Sequence, residues 1–221
     1  MTGLFNSVLF DSARPFESGQ NGENTKEPCN MKPFENLSGY LYLDELLNKP
    51  KFSKFTIDDV QRVVDNNDKK RFELKTEPAS GRLLIRALQG HSVQIDGLDL
   101  LPIEIPEIFP TVIHGTYLKN WQSIRKEGLK RMSRTHIHFA PGLPGDKDVI
   151  SGIRKNVQVL IYIDLDKALR DGFKFYQSRN GVILTEGDAE GCLPPKYFSA
   201  VYLRSTGQQL PLDTSTGPTA P

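Results

Sequence analysis

Cysteine is scarce. The 221 residues hold two, Cys29 and Cys192, which excludes a disulfide framework and a zinc site built on paired thiolates. No apolar run approaches the 18 residues that would mark a membrane helix, and the first residues lack the basic-then-apolar pattern of a secretory signal. Charge of one sign is also missing: 28 Lys and Arg stand against 27 Asp and Glu. Such a chain does not coat nucleic acid by bulk charge, although a local basic site remains open to it. There is no internal repeat, no G-x-x-x-x-G-K-[ST] loop, no G-x-G-x-x-G following a strand and no G-x-S-x-G elbow, so the common phosphate-loop, dinucleotide-fold and hydrolase readings fall away. No isolated carboxylate pair suggests glycoside hydrolysis. What survives is the expectation of a soluble intracellular protein in a reducing compartment, cytoplasmic or nuclear, without a membrane partner.

The apolar content is sufficient for a packed core: 38% of the chain is hydrophobic, with 12 Phe and 7 Tyr. The length fits one large domain or two small ones. Residues 1–36 mix Asn, Ser, Gly, Glu and Pro with no sustained period, and read as a disordered or atypical leader. Residues 205–221 read as a disordered tail. Between them, Leu41, Leu43, Leu46 and Leu47 fit one face of a short helix that Lys49-Pro50 stops. Thr56 is a natural N-cap, Asp58 and Asp59 suit a first turn, and Ile57, Val60, Val63 and Val64 give the buried stripe of a second helix ending near Asn66-Asn67. Two extended runs follow, Arg71–Lys75 and Arg82–Ala87, around a turn at Pro78–Gly81. Helix, turn, helix, hairpin is the order of a winged-helix module, and equally of other small α+β lobes. Pro102, Pro106 and Pro110 stiffen a connector over 96–110, where a domain boundary is expected. Beyond it lie short strands at Val112–His114, Ile137–Ala140, Val157–Ile163, Val182–Leu184 and Ala200–Leu203, with a helix around Trp121 ending near Gly128. The fold class is therefore α+β, the second half strand-rich.

All four histidines, His91, His114, His136 and His138, fall within residues 91–138 and sit beside glycines or strand starts. On a strand, His136 and His138 share a face, which makes a zinc pair conceivable; no third ligand stands nearby at suitable spacing, and no metal is expected. The alternative is that one or two are satisfied core histidines. Basic residues crowd Lys119–Arg134, and such a run is as readily a solvated helix face. Arg134 and Arg154 differ, because each abuts a strand and a glycine or histidine motif, and a planar guanidinium matches phosphate oxygens. The residues thus point to a phosphate-recognising site of Arg and His, and leave its substrate open.

Several segments together resemble the RNA 2′-phosphotransferase family: Phe55–Val64, Leu84-Ile-Arg-Ala-Leu-Gln-Gly-His-Ser92, Ile113-His-Gly-Thr116, Arg134-Thr-His-Ile-His-Phe-Ala-Pro-Gly-Leu-Pro-Gly-Asp146, Ile150-Ser-Gly-Ile-Arg154 and Asn180–Thr185. The resemblance implies a winged-helix-like RNA-binding lobe over 37–104 and an NAD-binding, ADP-ribosyltransferase-like lobe over 105–204. It implies removal of the splice-junction 2′-phosphate of tRNA by a monomer that needs NAD as co-substrate and no metal. The phosphate would displace nicotinamide from the nicotinamide ribose, and the ribose 2″-hydroxyl would then attack phosphorus, giving ADP-ribose 1″,2″-cyclic phosphate. By position, Arg86 and Arg154 look like catalytic arginines. His114, Gly115, Thr116, His138 and Val182 would line the NAD site, with Val182 at a place where other members of the fold often carry a glutamate. Gln89, His91, Ser92 and Arg134 would bind the RNA phosphate, with Gly90 shaping the same pocket. The family also carries a Leu-Arg-His signature just ahead of the Gly39-Tyr40 segment; no Arg-His pair stands upstream here, and slow turnover is expected. The other readings are an ADP-ribosyltransferase that caps nucleic-acid phosphates and a catalytically silent RNA-binding module.

Overall fold

The computed structural model describes residues 39–91, 98–147 and 149–212. The expected leader and the end of the expected tail lie outside the described residues, as does Ser92. The chain is mixed α and β and rich in short strands, as the sequence predicts. No helix among the described residues is long and apolar enough to cross a membrane.

The fold divides into two units. Among the described residues, the first falls within Met1–Asn67, Phe72–Ala87 and His91–Leu98, and the second within Asp68–Arg71, Leu88–Gly90 and Asp99–Pro221. In the first unit, Leu41–Tyr42 forms a short strand, β1, rather than the start of a helix. It pairs with β3 (Leu83–Ala87), and the backbone turns helical only at α1 (Leu43–Leu47). The α2 helix (Ile57–Asp65) begins as expected: Thr56 and Asp59 cap each other's backbone N–H groups, and the N–H of Asn66 donates to the carbonyl of Arg62 at the other end. β2 (Phe72–Thr76) and β3 (Leu83–Ala87) make the hairpin, giving a three-stranded sheet in the order β1-β3-β2. Leu43, Leu46, Phe52, Val60, Phe72, Ile85 and Ala87 form its core.

In the second unit, the proline-rich stretch does more than connect. Leu101–Pro102 is strand β4, which pairs with β9 (Tyr176–Gln177). The neighbouring Ile103 is buried in the main core. One sheet runs β4-β9-β10-β7, with β7 at Ile137–Phe139 and β10 at Ile183–Thr185. A second runs β12-β8-β5, with β5 at Ile113–Thr116, β8 at Val159–Ile163 and β12 at Phe198–Leu203. The expected central strand is β8, buried on both faces between its neighbours. β6 (Leu129–Lys130) and β11 (Cys192–Leu193) form a separate pair. α3 (Leu118–Glu127) follows β5 and ends at Gly128, whose φ of +89° favours glycine, and α4 (Leu165–Arg170) follows β8. A backbone pair between Ile113 and Ala140 ties β5 to the end of β7.

Residues 205–210 correct the expectation of a tail beginning at Ser205. Gly207 turns the chain at φ +69°, and the N–H groups of Leu203 and Leu210 donate to Gln208 and Val201, so the segment returns along β12. Leu210 and Leu212 pack against the core, which supplies the apolar anchor that the Thr, Gly and Gln composition hides.

Candidate active site

The site in the second unit grows from the juncture of β5 and β7. The Ile113–Ala140 pairing sets His114 beside β7, where its Nδ1 donates to the carbonyl of His138 at 2.9 Å. That bond fixes the proton on Nδ1 and leaves Nε2 a bare acceptor. Burial lowers the proton affinity of His114 and Arg134 adds to the effect, while the bond to His138 opposes it. His138 is pushed further, down to about 3, by burial and then by Arg134, His136 and His114. Both imidazoles are neutral near pH 7. The Nε2 of His138 is sealed from water and has no hydrogen-bond partner among the described residues. A buried unmatched ring nitrogen of this kind suits a ligand that brings a hydroxyl or amide donor.

His136 behaves differently. It is buried, its Nδ1 hydrogen-bonds the Thr135 hydroxyl at 2.8 Å, and its ring meets the edge of Tyr176. Its Nε2 lies 3.9 Å from the Glu186 carboxylate, yet burial still lowers its proton affinity. Among the described residues no three His, Cys, Asp or Glu side chains converge as metal ligands would.

Thr116 is buried in β5, with its Oγ1 accepting from Asn120 Nδ2 at 3.4 Å. A Cβ on Gly115 would lie 2.6 Å from Ile153 and 2.8 Å from Val157, so the small residue admits these two side chains against the strand. Val182 is fully buried, and its N–H donates to Ser178 Oγ at the Ser178–Gly181 turn.

The segment 151–154 lies against β7. Gly152 has φ +93°, and a Cβ there would stand 2.5 Å from the Phe139 carbonyl oxygen; only glycine fits so close an approach. Buried Ser151 accepts a hydrogen bond from Gln89 Nε2 at 3.0 Å, and Gln89 Oε1 is buried without a partner among the described residues. The carbonyl of Ile153 accepts from Lys69 Nζ at 3.0 Å, and the carbonyl of Lys69 accepts from Asn180 Nδ2 at 3.0 Å. Arg154 follows directly. It contributes to lowering the proton affinities of Lys69, Arg71 and Arg134, each of which is first lowered by burial. Arg71 likewise acts on Arg134 and Lys69, and Lys155 on Lys69. Among the described residues, Lys69, Arg134 and Arg154 have no carboxylate within ion-pair distance. The second unit thus gathers His114, His138, Gln89, Arg134 and Arg154 from the expected set. It adds Lys69, Arg71, Ser151 and Asn180, which the sequence reading passed over although Lys69-Lys70-Arg71 is a visible basic run.

Arg86 and His91 belong to the first unit, and both are buried. Arg86 is 1% exposed and rigidly held. Its Nε and Nη2 meet one Glu73 oxygen at 2.8 and 2.7 Å, and its guanidinium lies 4.3 Å over the Tyr40 ring, whose hydroxyl donates to the same oxygen. Such a clamp presents a guanidinium in one orientation.

Comparison with known proteins gives the chain's relatives. A model of the "RNA 2′-phosphotransferase, Tpt1 / KptA family" matches residues 34–187. The chain is 52% identical over 166 residues to tRNA 2′-phosphotransferase 1 of Danio rerio, covering 74% of each chain. It is 52% identical over 189 residues to tRNA 2′-phosphotransferase 1 of Mus musculus, covering 81% of this chain and 76% of that one. A probable RNA 2′-phosphotransferase of Rhizobium johnstonii is 39% identical over 163 residues, 73% of this chain and 79% of its own.

Proposed function

The chain belongs to the RNA 2′-phosphotransferase family, and from that premise we propose that it removes the splice-junction 2′-phosphate of tRNA with NAD as co-substrate. The observation that carries the reading to this site is the pair of neutral imidazoles, one with an Nε2 sealed and unmatched among the described residues, beside Arg134 and Arg154, which have no carboxylate within ion-pair distance among the described residues. A dinucleotide offers hydroxyl and amide donors to the first, and a phosphate offers anionic oxygens to the second.

In this reading His114 and His138 act as fixed acceptors for NAD, with Gly115, Thr116 and Val182 shaping the cleft. NAD supplies an anomeric carbon with a neutral leaving group. The resemblance assigns the charge on the transferring phosphoryl group to Arg154 and Arg86, and the RNA phosphate to Arg134, Gln89, His91 and Ser92. Guanidinium groups already locked in place, as Arg86 is by Glu73 and Tyr40, stabilise such charge without reorganising. The nucleophile is an anion already, so the apolar Val182 in place of a carboxylate fits a reaction without a general base. The helix, helix, hairpin order of the first unit supports a winged-helix-like reading, and the two short-stranded sheets of the second support an ADP-ribosyltransferase-like one. The enzyme is read as a soluble intracellular monomer, cytoplasmic or nuclear, with no metal requirement.

The test is a mixture of this chain, NAD and a short 2′-phosphorylated RNA, followed for nicotinamide, dephosphorylated RNA and cyclic phosphate. Because the chain carries no Arg-His pair, turnover is expected below that of a complete family member, by roughly 10²–10³ for each preorganised contact missing. Persistent ADP-ribosyl RNA would point to the one-step capping reaction instead. No nicotinamide release, together with no NAD binding, would leave only the silent RNA module.

A further inference from the structure

The cations of the second unit outnumber what the reacting groups need. Lys69, Arg71, Arg134, Arg154 and Lys155 come from three separate segments and act on one another electrostatically. The arrangement is built rather than incidental. Lys69 is pinned at both ends, its ammonium on the Ile153 carbonyl and its own carbonyl under Asn180, and Asn180 is itself held by Ser178. Lys70, between the two new cations, has φ +42°, one of two positive values at non-glycine positions among the described residues. Such backbone is kept only where the surroundings impose it.

We propose that Lys69 and Arg71 extend the Arg134–Arg154 site into a subsite for the phosphodiester backbone of RNA beside the reacting nucleotide. This rests on the phosphotransferase reading for the identity of the polymer. The dry side of the site is neutral, since His114 and His138 carry no charge there. The charged side is wet: Arg134, Arg154 and Lys155 are exposed and Lys69 and Arg71 half-buried. A solvated cationic rim matches a hydrated polymer backbone, with one negative charge per nucleotide, better than it matches a dinucleotide enclosed against histidines. Lys69 spends one of its three donors on Ile153 and keeps two for phosphate oxygens. The second source of the same chemistry is the pyrophosphate of the dinucleotide, and the experiment separates the two.

The probe is a fluorescein-labelled single-stranded RNA without a 2′-phosphate, titrated with the full chain by anisotropy from 50 to 300 mM salt. Each of K69M and R71M is expected to weaken binding at every RNA sequence tried and to reduce the slope of log K against log salt by about 0.7, the value for one phosphate contact on a single strand. K69Q, which keeps an N–H donor for the Ile153 carbonyl but no charge, should lose the slope as K69M does while K69R restores it, and K126M on the exposed face of α3 should leave it unchanged. NAD affinity should move less than the RNA slope predicts in both variants. Unchanged slopes in R71M and in folded K69M overturn the proposal, and so does a loss of NAD affinity with the RNA slope intact. Because this RNA carries no 2′-phosphate, the subsite can stand or fall whether or not the chain turns over 2′-phosphorylated RNA.

Discussion

Acidification should unlock the second unit through His138. A histidine has an ordinary pKa near 6.5, and His138 is held at about 3 in the fold, chiefly by burial and then by Arg134, His136 and His114. The folded value lies below the unfolded one, so the unfolded chain binds the proton more readily. Stability from this group is therefore complete above pH 6.5 and is lost as the pH falls toward 3. Between pH 7.5 and 5.0 about 1.5 pH units lie inside that window, and at 1.36 kcal/mol per unit the loss is about 2 kcal/mol. His114 and His136 shift in the same direction and steepen the dependence. The assay is urea unfolding at the two pH values followed by tryptophan fluorescence. The chain has a single Trp, and Trp121 is buried in the main core of the second unit, so the signal reports that unit. His138→Gln should lose about 2 kcal/mol less than the native chain across the same interval. An equal pH dependence in both proteins, or a His138 ring resonance titrating near 6.5, would refute the reasoning.

Other perturbations read other parts of the fold. Glu73→Gln removes the Glu73 carboxylate charge from the 1%-exposed Arg86; because Glu73 itself is 24% exposed, the cost should sit near the low end for a broken buried pair, about 3 kcal/mol. Hydrogen exchange of the β2–β3 amides measures it, and a change below about 0.5 kcal/mol, the usual size of a neutral surface substitution, would show that the clamp is not stabilising. Gly152→Ala combines a left-handed backbone with a Cβ 2.5 Å from the Phe139 oxygen. It should cost at least the ~1–3 kcal/mol of strained backbone and reduce phosphate transfer as Arg154 is displaced, seen in the Trp121 unfolding curve and in nicotinamide release. Thr56→Ala removes half of the α2 capping box and should lower the stability of the first unit by about 1 kcal/mol, measured by circular dichroism on urea unfolding, with Ser at the same position retaining most of it.

What could be read along the chain was whatever depends on near neighbours. Thr56 and Asp59 cap α2 because the reciprocal bonds span three residues, and Gly128 ends α3 where a positive φ is needed. The alternation around Val159–Ile163 marks a strand buried on both faces whatever its partners are. The misses have long reach. Leu41–Tyr42 looks helical by its leucines, but pairing with Ile85 and Leu84, more than forty positions away, makes it a strand. Leu101–Pro102 looks like a linker until β9 supplies its edge, and residues 205–210 look disordered until β12 does the same.

The site divides along the same line, and the division says what kind of information each half needs. His114, Gly115 and Thr116 stand together in one strand, so a short motif exposes them. The cationic rim has no such motif. Lys69 and Arg71 stand immediately before β2, a strand of the first unit, yet Asp68–Arg71 is part of the second. Their like-charged neighbour Arg154 is more than eighty residues on, placed by a glycine that lies against β7. Repulsion among such groups is unfavourable for folding and makes no local pattern. An anion bound among these groups relieves it. The same logic gives the rim its strongest signature in solution: added phosphate or single-stranded RNA should stabilise the native chain more than it stabilises R71M, as linkage requires of any ligand that binds only the folded form.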